Sequence, residues 1–307
     1  MLSIISHNEC RDHDAGPLHP ESKARLDAIN NQLIMSGMDY VVRHHDAPLV
    51  TREQLERVHD SDYLDRVYAL APGQGMESVE VDGDTVMSPG TLKAAERSAG
   101  SGCMGVDLVM SKEANPIFCM VRPPGHHAES DKAMGFCLFN NIAVAAAHAL
   151  EAYGLSRVAI IDFDVHHGNG TEEIFKAEPR VLFCSSFQHP FYPFTGHEKE
   201  TDNLVDIPLS AGAGSAEFRE AVSGHWIPHL RDFKPEFVFI SAGFDAHVAD
   251  DMSSVQLTDA DYEWVTRELK AVADEFAEGR IVSMLEGGYE PDVLARSVVK
   301  HLDVLLG

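Results

Sequence analysis

Residues 157–171 of the chain read RVAIIDFDVHHGNGT. The segment VAII is apolar without alternation, which is typical of a strand buried on both faces of a parallel sheet. If the extended conformation continues, side chains alternate between the two faces, so Asp162, Asp164 and His166 share one face. Charged side chains rarely follow a buried strand so closely and in phase. We therefore favour a metal site over a solvated acidic loop.

The composition fits one globular domain. The chain has 307 residues, of which 44% are hydrophobic, with ordinary glycine and proline content. The length alone would also allow two domains, but no Ser/Gly/Pro-rich linker, charge block or fixed-period repeat marks a boundary. We therefore predict a single domain over residues 1–307.

The chain is strongly acidic, with 49 Asp and Glu residues against 24 Lys and Arg residues and a formal net charge of −25. Such a field repels phosphate backbones and anionic lipids, so we expect no nucleic-acid partner and no membrane partner. The same charge would attract cationic substrates. Solubility or salt adaptation explains it equally well, and the sequence leaves both explanations open.

The five cysteines show no CxxC pairing and several lie in apolar runs, which predicts buried, reduced thiols. No signal peptide is recognisable near the first residue, and no apolar run reaches membrane-spanning length. We therefore expect a cytoplasmic protein. Its oligomeric state is left open, with a homo-oligomer as one alternative.

Apolar stretches of strand and helix type alternate along the chain. We predict strands at residues 2–6, 41–43, 117–121, 158–161, 181–185, 237–242 and 281–285. We predict helices at residues 25–33, 52–58, 62–70, 91–110, 140–153, 216–233, 259–276 and 293–305, and a loop at 72–86. This alternation predicts an α/β fold of three layers, with an open, parallel sheet between helices.

Ligands of such sheets bind beyond the carboxyl ends of the strands, and four polar motifs fall there. They are RPPGHH at 122–127, DFDVH at 162–166, SAGFD at 241–245 and EGGY at 286–289. Each motif alone has an ordinary explanation, because a terminal Asp often caps a helix and a lone His is often a hydrogen-bonded structural residue. Their recurrence at equivalent strand ends predicts one shared site.

Asp164, His166 and Asp245 form a candidate set of metal ligands. Two carboxylates and one imidazole leave positions open for water and a substrate oxygen, as a catalytic zinc ion requires. Oxygen-rich ligation also suits iron(II), manganese or cobalt. We favour zinc among these ions.

These motifs resemble the zinc-dependent histone deacetylase family of the arginase/deacetylase fold, and within it the class II and bacterial-type branch that includes acetylpolyamine amidohydrolases. RPPGHHA, GFCLFNN, DFDVHHGNG, SAGFDAH and EGGY occur in the family's order, and the resemblance extends from residue 19 to residue 289. It implies an eight-stranded, mostly parallel sheet with helices on both sides. It also implies hydrolysis of an acetyl-lysine-type amide.

The resemblance implies a role for each residue of the site. The residues that correspond to the zinc ligands are Asp164, His166 and Asp245. His127 corresponds to the general base and acid, His126 to its electrostatic partner, and Tyr289 to the residue that polarises the acetyl carbonyl. Amide hydrolysis independently needs an activated water, a stabilised oxyanion and a protonated leaving amine, and these groups supply all three.

Further residues follow from the same resemblance. Asp162 would hold His126, and Asn169 would hold His127; many relatives have Asp at the latter position, and a neutral amide orients His127 without raising its pKa. A monovalent cation, expected to be K⁺, would be bound by side chains or backbone carbonyls of Asp162, Asp164, His166, Ser185 and Ser186. A plain hydrogen-bonded strand end is the alternative to this cation site.

The resemblance also places a narrow acyl-lysine channel between Phe136 and Tyr192, with the Gly135 carbonyl beside it. Ordinary core packing is the alternative, but both aromatic residues lie in loop-like sequence. The family usually has Gly where Phe194 stands, and this departure bears on the channel rim. Acetylpolyamine amidohydrolases carry a Glu seven residues after the last zinc ligand, and here that position is Met252.

Methionine cannot pair with an ammonium group, so Met252 favours lysine-type substrates over polyamines. The neighbouring Asp250 and Asp251 could replace the missing Glu if the loop shifts, or they could simply be solvated.

Two other functions remain as alternatives. A two-manganese ureohydrolase would need a second in-phase carboxylate after Asp245, where the chain has Ala246 and His247. A non-catalytic module that binds acetyl-lysine or a cation would not need His127 or Tyr289.

Overall fold

The strands form one large parallel sheet and one small hairpin. The computed structural model describes residues 1–196 and 201–307. The strands are β1 Ser3–Ser6, β2 Arg43–Asp46, β3 Val79–Asp82, β4 Thr85–Met87, β5 Ile117–Cys119, β6 Val158–Asp162, β7 Val181–Gln188, β8 Leu204–Leu209, β9 Phe237–Ala242 and β10 Ile281–Leu285. The large sheet has eight strands in the order β2-β1-β5-β10-β9-β6-β7-β8, and all its pairings are parallel.

Helices cover this sheet on both faces. They are α1 Ala24–Ser36, α2 Arg52–Leu55, α3 Ser61–Leu70, α4 Thr91–Met110, α5 Asn141–Tyr153, α6 Asn169–Phe175, α7 Ser215–Ala221, α8 Ile227–Phe233, α9 Asp259–Phe276 and α10 Pro291–Leu306. The predicted three-layer α/β fold with about eight mostly parallel strands is therefore confirmed.

Strand β10 shows how the two helical layers are separated. Met284 faces α4, where a Cβ atom on Gly102 would lie only 3.1 Å from the Met284 Sδ atom. Ser283 points to the opposite face, and its Oγ atom lies 2.9 Å from Nε2 of His301 in α10. Adjacent residues of a strand point to opposite faces, so α4 and α10 lie on opposite sides of the sheet. The small residues of α4 allow its backbone to approach the strands closely.

Several sequence predictions need correction, among them the strand expected at residues 41–43, which the structure has at Arg43–Asp46. Residues 72–86 are not all loop, because β3 and β4 pair as an antiparallel hairpin. Strand β8 was not predicted; it lies at the sheet edge, where Asp206 and Pro208 interrupt the apolar pattern without breaking a central ladder. The helix expected at 216–233 contains a π-helical segment at Val222–Trp226, which precedes Pro228, a residue that cannot donate a backbone hydrogen bond.

The four polar motifs follow four neighbouring strands. β5, β10, β9 and β6 are consecutive in the middle of the sheet, and every residue of these strands is buried. Because all four strands run in the same direction, their carboxyl ends meet at one edge. The fold thus brings the four motifs together. In the part of the chain that the structure describes, no helix combines the length and the apolar character needed to cross a membrane.

Candidate active site

Asp164, His166 and Asp245 converge at the carboxyl edge of the sheet. His166 Nδ1 lies 3.1 Å from Asp164 Oδ1 and 3.1 Å from Asp245 Oδ2. All three side chains are buried, and their ligand-type atoms lie within 4.8 Å of one another. One imidazole and two carboxylates with this spacing form a site that could hold a single metal ion.

The route of the chain into this cluster differs from the expectation. The extended conformation ends at Asp162 and the backbone bends through His166, so strand alternation does not place these side chains on one face. Two side chain–backbone hydrogen bonds shape the bend: Asp164 N donates to Asp162 Oδ1 at 3.1 Å, and His166 N donates to Asp164 Oδ1 at 2.9 Å. Short Asp side chains commonly bind the backbone two residues later in such turns.

Two glycines leave the space that the carboxylates occupy. A Cβ atom on Gly243 would lie 2.0 Å from Asp164 Oδ2, and one on Gly287 would lie 2.1 Å from Asp245 Oδ2. Backbone amides also orient the carboxylates, because Gly287 N donates to Asp164 Oδ2 at 2.8 Å and Val165 N donates to Asp245 Oδ1 at 2.9 Å. The motifs SAGFD and EGGY therefore contribute small residues as well as functional side chains.

His126 and His127 lie side by side beyond β5, with ring centroids 4.0 Å apart. His126 Nδ1 lies 2.9 Å from Asp162 Oδ2, and His127 Nδ1 lies 2.8 Å from Asn169 Oδ1. Asn169 is itself fixed, because its Nδ2 atom donates to Glu129 Oε1 at 2.7 Å. Its Oδ1 atom therefore faces His127 as an acceptor, and the Nε2 atom of His127 is left available to a substrate or water.

The two imidazoles have opposite electrostatic environments. Burial lowers the pKa of His126, but the carboxylates of Asp162 and Asp164 outweigh burial and leave it well above its ordinary value. Burial and the neighbouring imidazoles of His126 and His166 hold the pKa of His127 well below its ordinary value. Paired groups whose pKa values are pushed apart are typical of acid–base sites.

Tyr289 is held at the same edge by Asp250. The Asp250 side chain is buried, and its Oδ2 atom accepts hydrogen bonds from Tyr289 N at 2.6 Å and from Glu290 N at 3.1 Å. The hypothesis that Asp250 faces the channel mouth is therefore wrong, because its carboxylate fixes the backbone of the EGGY turn. Asp251 is exposed, and Met252 lines the cavity.

A cavity of about 230 Å³ leads to the cluster. The residues that line it are Asp84, His127, Gly135, Phe136, His166, Phe191, Tyr192, Met252 and Tyr289. Gly135 must be a glycine here, because its φ is +58° and a Cβ atom would lie 2.3 Å from the His127 ring. Phe194 is 66% exposed and is not among the lining residues.

Three features of the site were not predicted. Asp84 lines the cavity from the β3–β4 turn and accepts a hydrogen bond from Gly135 N at 3.0 Å. Phe191 stacks on His166 with ring centroids 5.6 Å apart. The Glu21 carboxylate also lies beneath the site between two buried guanidinium groups, at 2.6 Å from Arg122 Nε and 3.1 Å from Arg25 Nη1. In the sequence, only the arginine of RPPGHH, Arg122, pointed to this network.

A second buried polar position lies where β6 ends beside the middle of β7. Asp162 pairs with Ser185 in the register of these strands, and both residues are buried. The Ser185 Oγ atom has no hydrogen-bond partner within the described residues 1–196 and 201–307. A buried hydroxyl without a partner fits a ligand position, so the oxygen atoms of Asp162 and Ser185 are compatible with a monovalent cation.

Comparison with known proteins extends over nearly the whole chain. The family model described as the histone deacetylase domain matches residues 19–305. A probable deacetylase of Archaeoglobus fulgidus is 36% identical, over 94% of this chain and 81% of its own length. The histone deacetylase-like amidohydrolase of Pseudomonas aeruginosa is 35% identical, over 88% of this chain and 71% of its own length.

A solved structure gives the same result. The crystal structure of the HDA15 HD domain superposes with a TM-score of 0.92 at 34% identity, covering 100% of this chain and 90% of that one. Matches of this extent, in sequence and in fold, settle the family that the first motifs indicated. The chain belongs to the histone deacetylase family.

Proposed function

We propose that this protein is a zinc-dependent deacetylase that hydrolyses the amide of an acetylated lysine or a similar acetylated amine. One observation carries the proposal: the ligand-type atoms of Asp164, His166 and Asp245 converge, and His166 lines a cavity together with His127 and Tyr289. Family membership supports deacetylation as the reaction class. The metal, the substrate and the role of each residue are parts of the proposal.

Zinc suits the donor set because it accepts both imidazole nitrogen and carboxylate oxygen, and three protein ligands leave a coordination position open. The space left by Gly243 and Gly287 and the fixed orientation of both carboxylates support a preorganised metal site. A bound zinc ion would act as a Lewis acid on the acetyl carbonyl and would lower the pKa of a coordinated water.

Three side chains near the proposed metal site would carry out proton transfer and charge stabilisation. His127 takes a proton from the attacking water through Nε2, because its Nδ1 atom is engaged by Asn169, and it later returns the proton to the leaving amine. The Tyr289 hydroxyl donates a hydrogen bond to the developing oxyanion, and burial keeps its pKa well above the ordinary value so that it stays protonated. His126, paired with Asp162, supplies positive charge beside His127.

The cavity lining supports an acyl-lysine-type substrate. Phe136 and Tyr192 would pack against its aliphatic chain, and the Gly135 carbonyl would accept a hydrogen bond from the amide nitrogen. Met252 offers no carboxylate for a second ammonium group, which disfavours long polyamines. An acetylpolyamine amidohydrolase remains the second candidate, because the net charge of −25 attracts polycations.

The proposal includes three further points. A potassium ion would bind at Asp162 and Ser185, with backbone carbonyls of Asp164, His166 and Ser186, where the partnerless Ser185 hydroxyl supports a ligand role. Residues 1–307 would act as one catalytic domain, since one sheet runs through the described residues. The five cysteines are buried free thiols, which agrees with a reducing compartment such as the cytoplasm.

Metal analysis together with an amide-hydrolysis assay tests the proposal. We expect zinc in the purified protein and release of acetate from a fluorogenic acetyl-lysine peptide. Urea release from a guanidinium substrate with two manganese ions would favour the ureohydrolase instead. Binding of acetyl-lysine without turnover would favour the non-catalytic module.

A further inference from the structure

A second cluster of ligand-type side chains lies behind the first. His167 directly follows His166, Glu172 lies on α6, and Asp206 lies on the edge strand β8. His167 Nε2 is 3.0 Å from Glu172 Oε2 and 3.4 Å from Asp206 Oδ1. The ligand-type atoms of all three residues lie within 4.8 Å of one another, as they do in the cluster around His166.

The three central atoms of this cluster are buried but not hydrogen-bonded. His167 Nε2, Glu172 Oε2 and Asp206 Oδ1 have no hydrogen-bond partner among the described residues. The two oxygens lie 3.0 and 3.4 Å from Nε2, yet neither forms a hydrogen bond with it that satisfies both distance and angle. Buried polar atoms are nearly always paired, so three orphaned atoms facing one point indicate a missing ligand.

The charge at this point is unbalanced. With a neutral imidazole the two carboxylates carry two negative charges, and a proton on Nε2 neutralises only one of them. Burial raises the pKa of Asp206 to about 7 even though His167 lies beside it. The Lys176 ammonium also lowers the pKa of Glu172, but more weakly than His167 does. A divalent cation would neutralise both carboxylates at once.

The surroundings hold the His167 ring in the orientation of a ligand. His167 is 1% exposed, and its ring centroid lies 4.5 Å from that of Phe187. Its Nδ1 atom lies 2.8 Å from Thr195 Oγ1, a hydroxyl that can accept the Nδ1 proton and leave the Nε2 lone pair toward the carboxylates. A Cβ atom on Gly196 would lie 2.7 Å from the same ring, so the loop closes tightly over it.

We propose that His167, Glu172 and Asp206 bind a second divalent cation of the zinc or manganese type. Three protein ligands of mixed nitrogen and oxygen type suit these ions. The side chains of Glu172 and Asp206 are 12% and 9% exposed, although the three ligand-type atoms themselves are buried.

The proposed ion has a structural function. Thr195 belongs to the same loop as Tyr192, a residue that lines the catalytic cavity. The ion would connect this loop, through His167, to α6 and to the edge strand β8. It therefore stabilises the wall of the cavity without taking part in the reaction, and it does not depend on the proposed substrate.

An ordinary ion triad is the competing explanation. In that case His167 is an imidazolium between two carboxylates. Burial lowers its pKa, but Asp206 and Glu172 outweigh burial and raise the pKa to about 9. This pairing accounts for the cluster without a metal. The two explanations differ in metal content, which can be measured directly.

The experiment measures Zn²⁺ bound after removal of all metal and equilibrium dialysis against Zn²⁺ alone. Asp164→Asn removes a ligand of the catalytic cluster, and Glu172→Gln and Asp206→Asn each remove a ligand of the second cluster with little change of shape. Glu220→Gln is the matched control, because Glu220 is an exposed carboxylate on α7. We expect about two equivalents in the wild type and control, and about one in each single ligand variant.

Thermal unfolding supplies an independent measurement. In the Asp164→Asn background, Zn²⁺ at ~100 times its Kd should raise Tm by roughly 5 °C, and adding Glu172→Gln should abolish this shift. The wild type could instead bind a single equivalent of Zn²⁺ that is lost with Asp164→Asn and unaffected by Glu172→Gln. This result would overturn the second site and leave the catalytic proposal intact. Loss of one equivalent with Glu172→Gln but none with Asp164→Asn would support the second site and contradict the catalytic one.

Discussion

Tyr289→Phe removes one hydroxyl from the candidate active site and leaves the rest of the side chain in place. The ring keeps its contacts with the Arg25 guanidinium, 5.0 Å from its centroid, and with Phe136, whose centroid is 6.0 Å away. The backbone of residue 289 stays bound to Asp250. The half-buried phenol lines the cavity, so the substitution should change folding stability little.

The expected loss is that of a single oxyanion donor. Removing one such donor costs about 10² to 10³ in kcat, or about 2.7–4 kcal/mol of transition-state stabilisation. The hydrogen bond strengthens as negative charge develops on the carbonyl oxygen, so kcat should fall much more than KM rises. The metal ligands are untouched, and metal content should equal that of the wild type.

The assay is steady-state release of acetate from a fluorogenic acetyl-lysine peptide, with metal content measured on the same preparation. Tyr153→Phe is a matched control, because it removes a phenol hydroxyl that binds Asp107 on the protein surface. We expect wild-type kcat in this control. Wild-type turnover in Tyr289→Phe with normal metal content would refute the role assigned to the hydroxyl.

Three other predictions concern acid–base roles, substrate choice and stability. His127→Ala should reduce kcat more than His126→Ala, because one imidazole serves as base and acid while the other supplies charge; equal or inverted losses in pH–rate profiles would reverse the assignment. The wild type should prefer an acetyl-lysine peptide over N-acetylspermidine in kcat/KM, and Met252→Glu should shift the preference toward the polyamine; a wild type that already prefers the polyamine tenfold, about 1.4 kcal/mol, would contradict this. His59 accepts a hydrogen bond from Asn140 N at 2.9 Å, and burial lowers its pKa from 6.5 to about 4, so the unfolded chain binds the proton more readily. The free energy of unfolding should therefore fall as pH drops below 6.5, by about 2 kcal/mol at pH 5 from this residue. In urea titrations at several pH values, the free energy of unfolding of His59→Gln should depend less steeply on pH than that of the wild type. The same pH dependence in both proteins would exclude the effect.

The sequence was sufficient to predict the centre of the fold. Strands β6, β9 and β10 are apolar except for Asp162, Ser241 and Ser283, and such nearly continuous apolar runs are typical of parallel strands buried on both faces. Their polar ends could be recognised for the same reason, since charge directly after such a run has few ordinary explanations. The edges were harder, because β8 is half-buried and contains Asp206 and Pro208, which weaken its strand signal.

The residues that the sequence did not reveal act through tertiary contacts. Asp84 lies in the hairpin turn and reaches the cavity, where it binds Gly135, a residue 51 positions later in the sequence. Asp250 was read as a surface carboxylate, yet it is 5% exposed and binds the backbone of Tyr289. The local pattern of apolar and polar residues indicates burial and periodicity. It does not indicate which distant backbone amide will donate a hydrogen bond to an acidic side chain.

Acetate release during Zn²⁺ titration of metal-free protein tests the proposed chemistry most directly. Asp164, His166 and Asp245 converge, and His166 lines the cavity, so hydrolysis of an acetyl-lysine peptide should be absent without metal and should appear as Zn²⁺ fills this cluster. Asp245→Asn, titrated in the same way, should stay inactive. Full activity in the metal-free protein, or no acetate release from any acetylated amine after zinc binding, would contradict a zinc-dependent deacetylase.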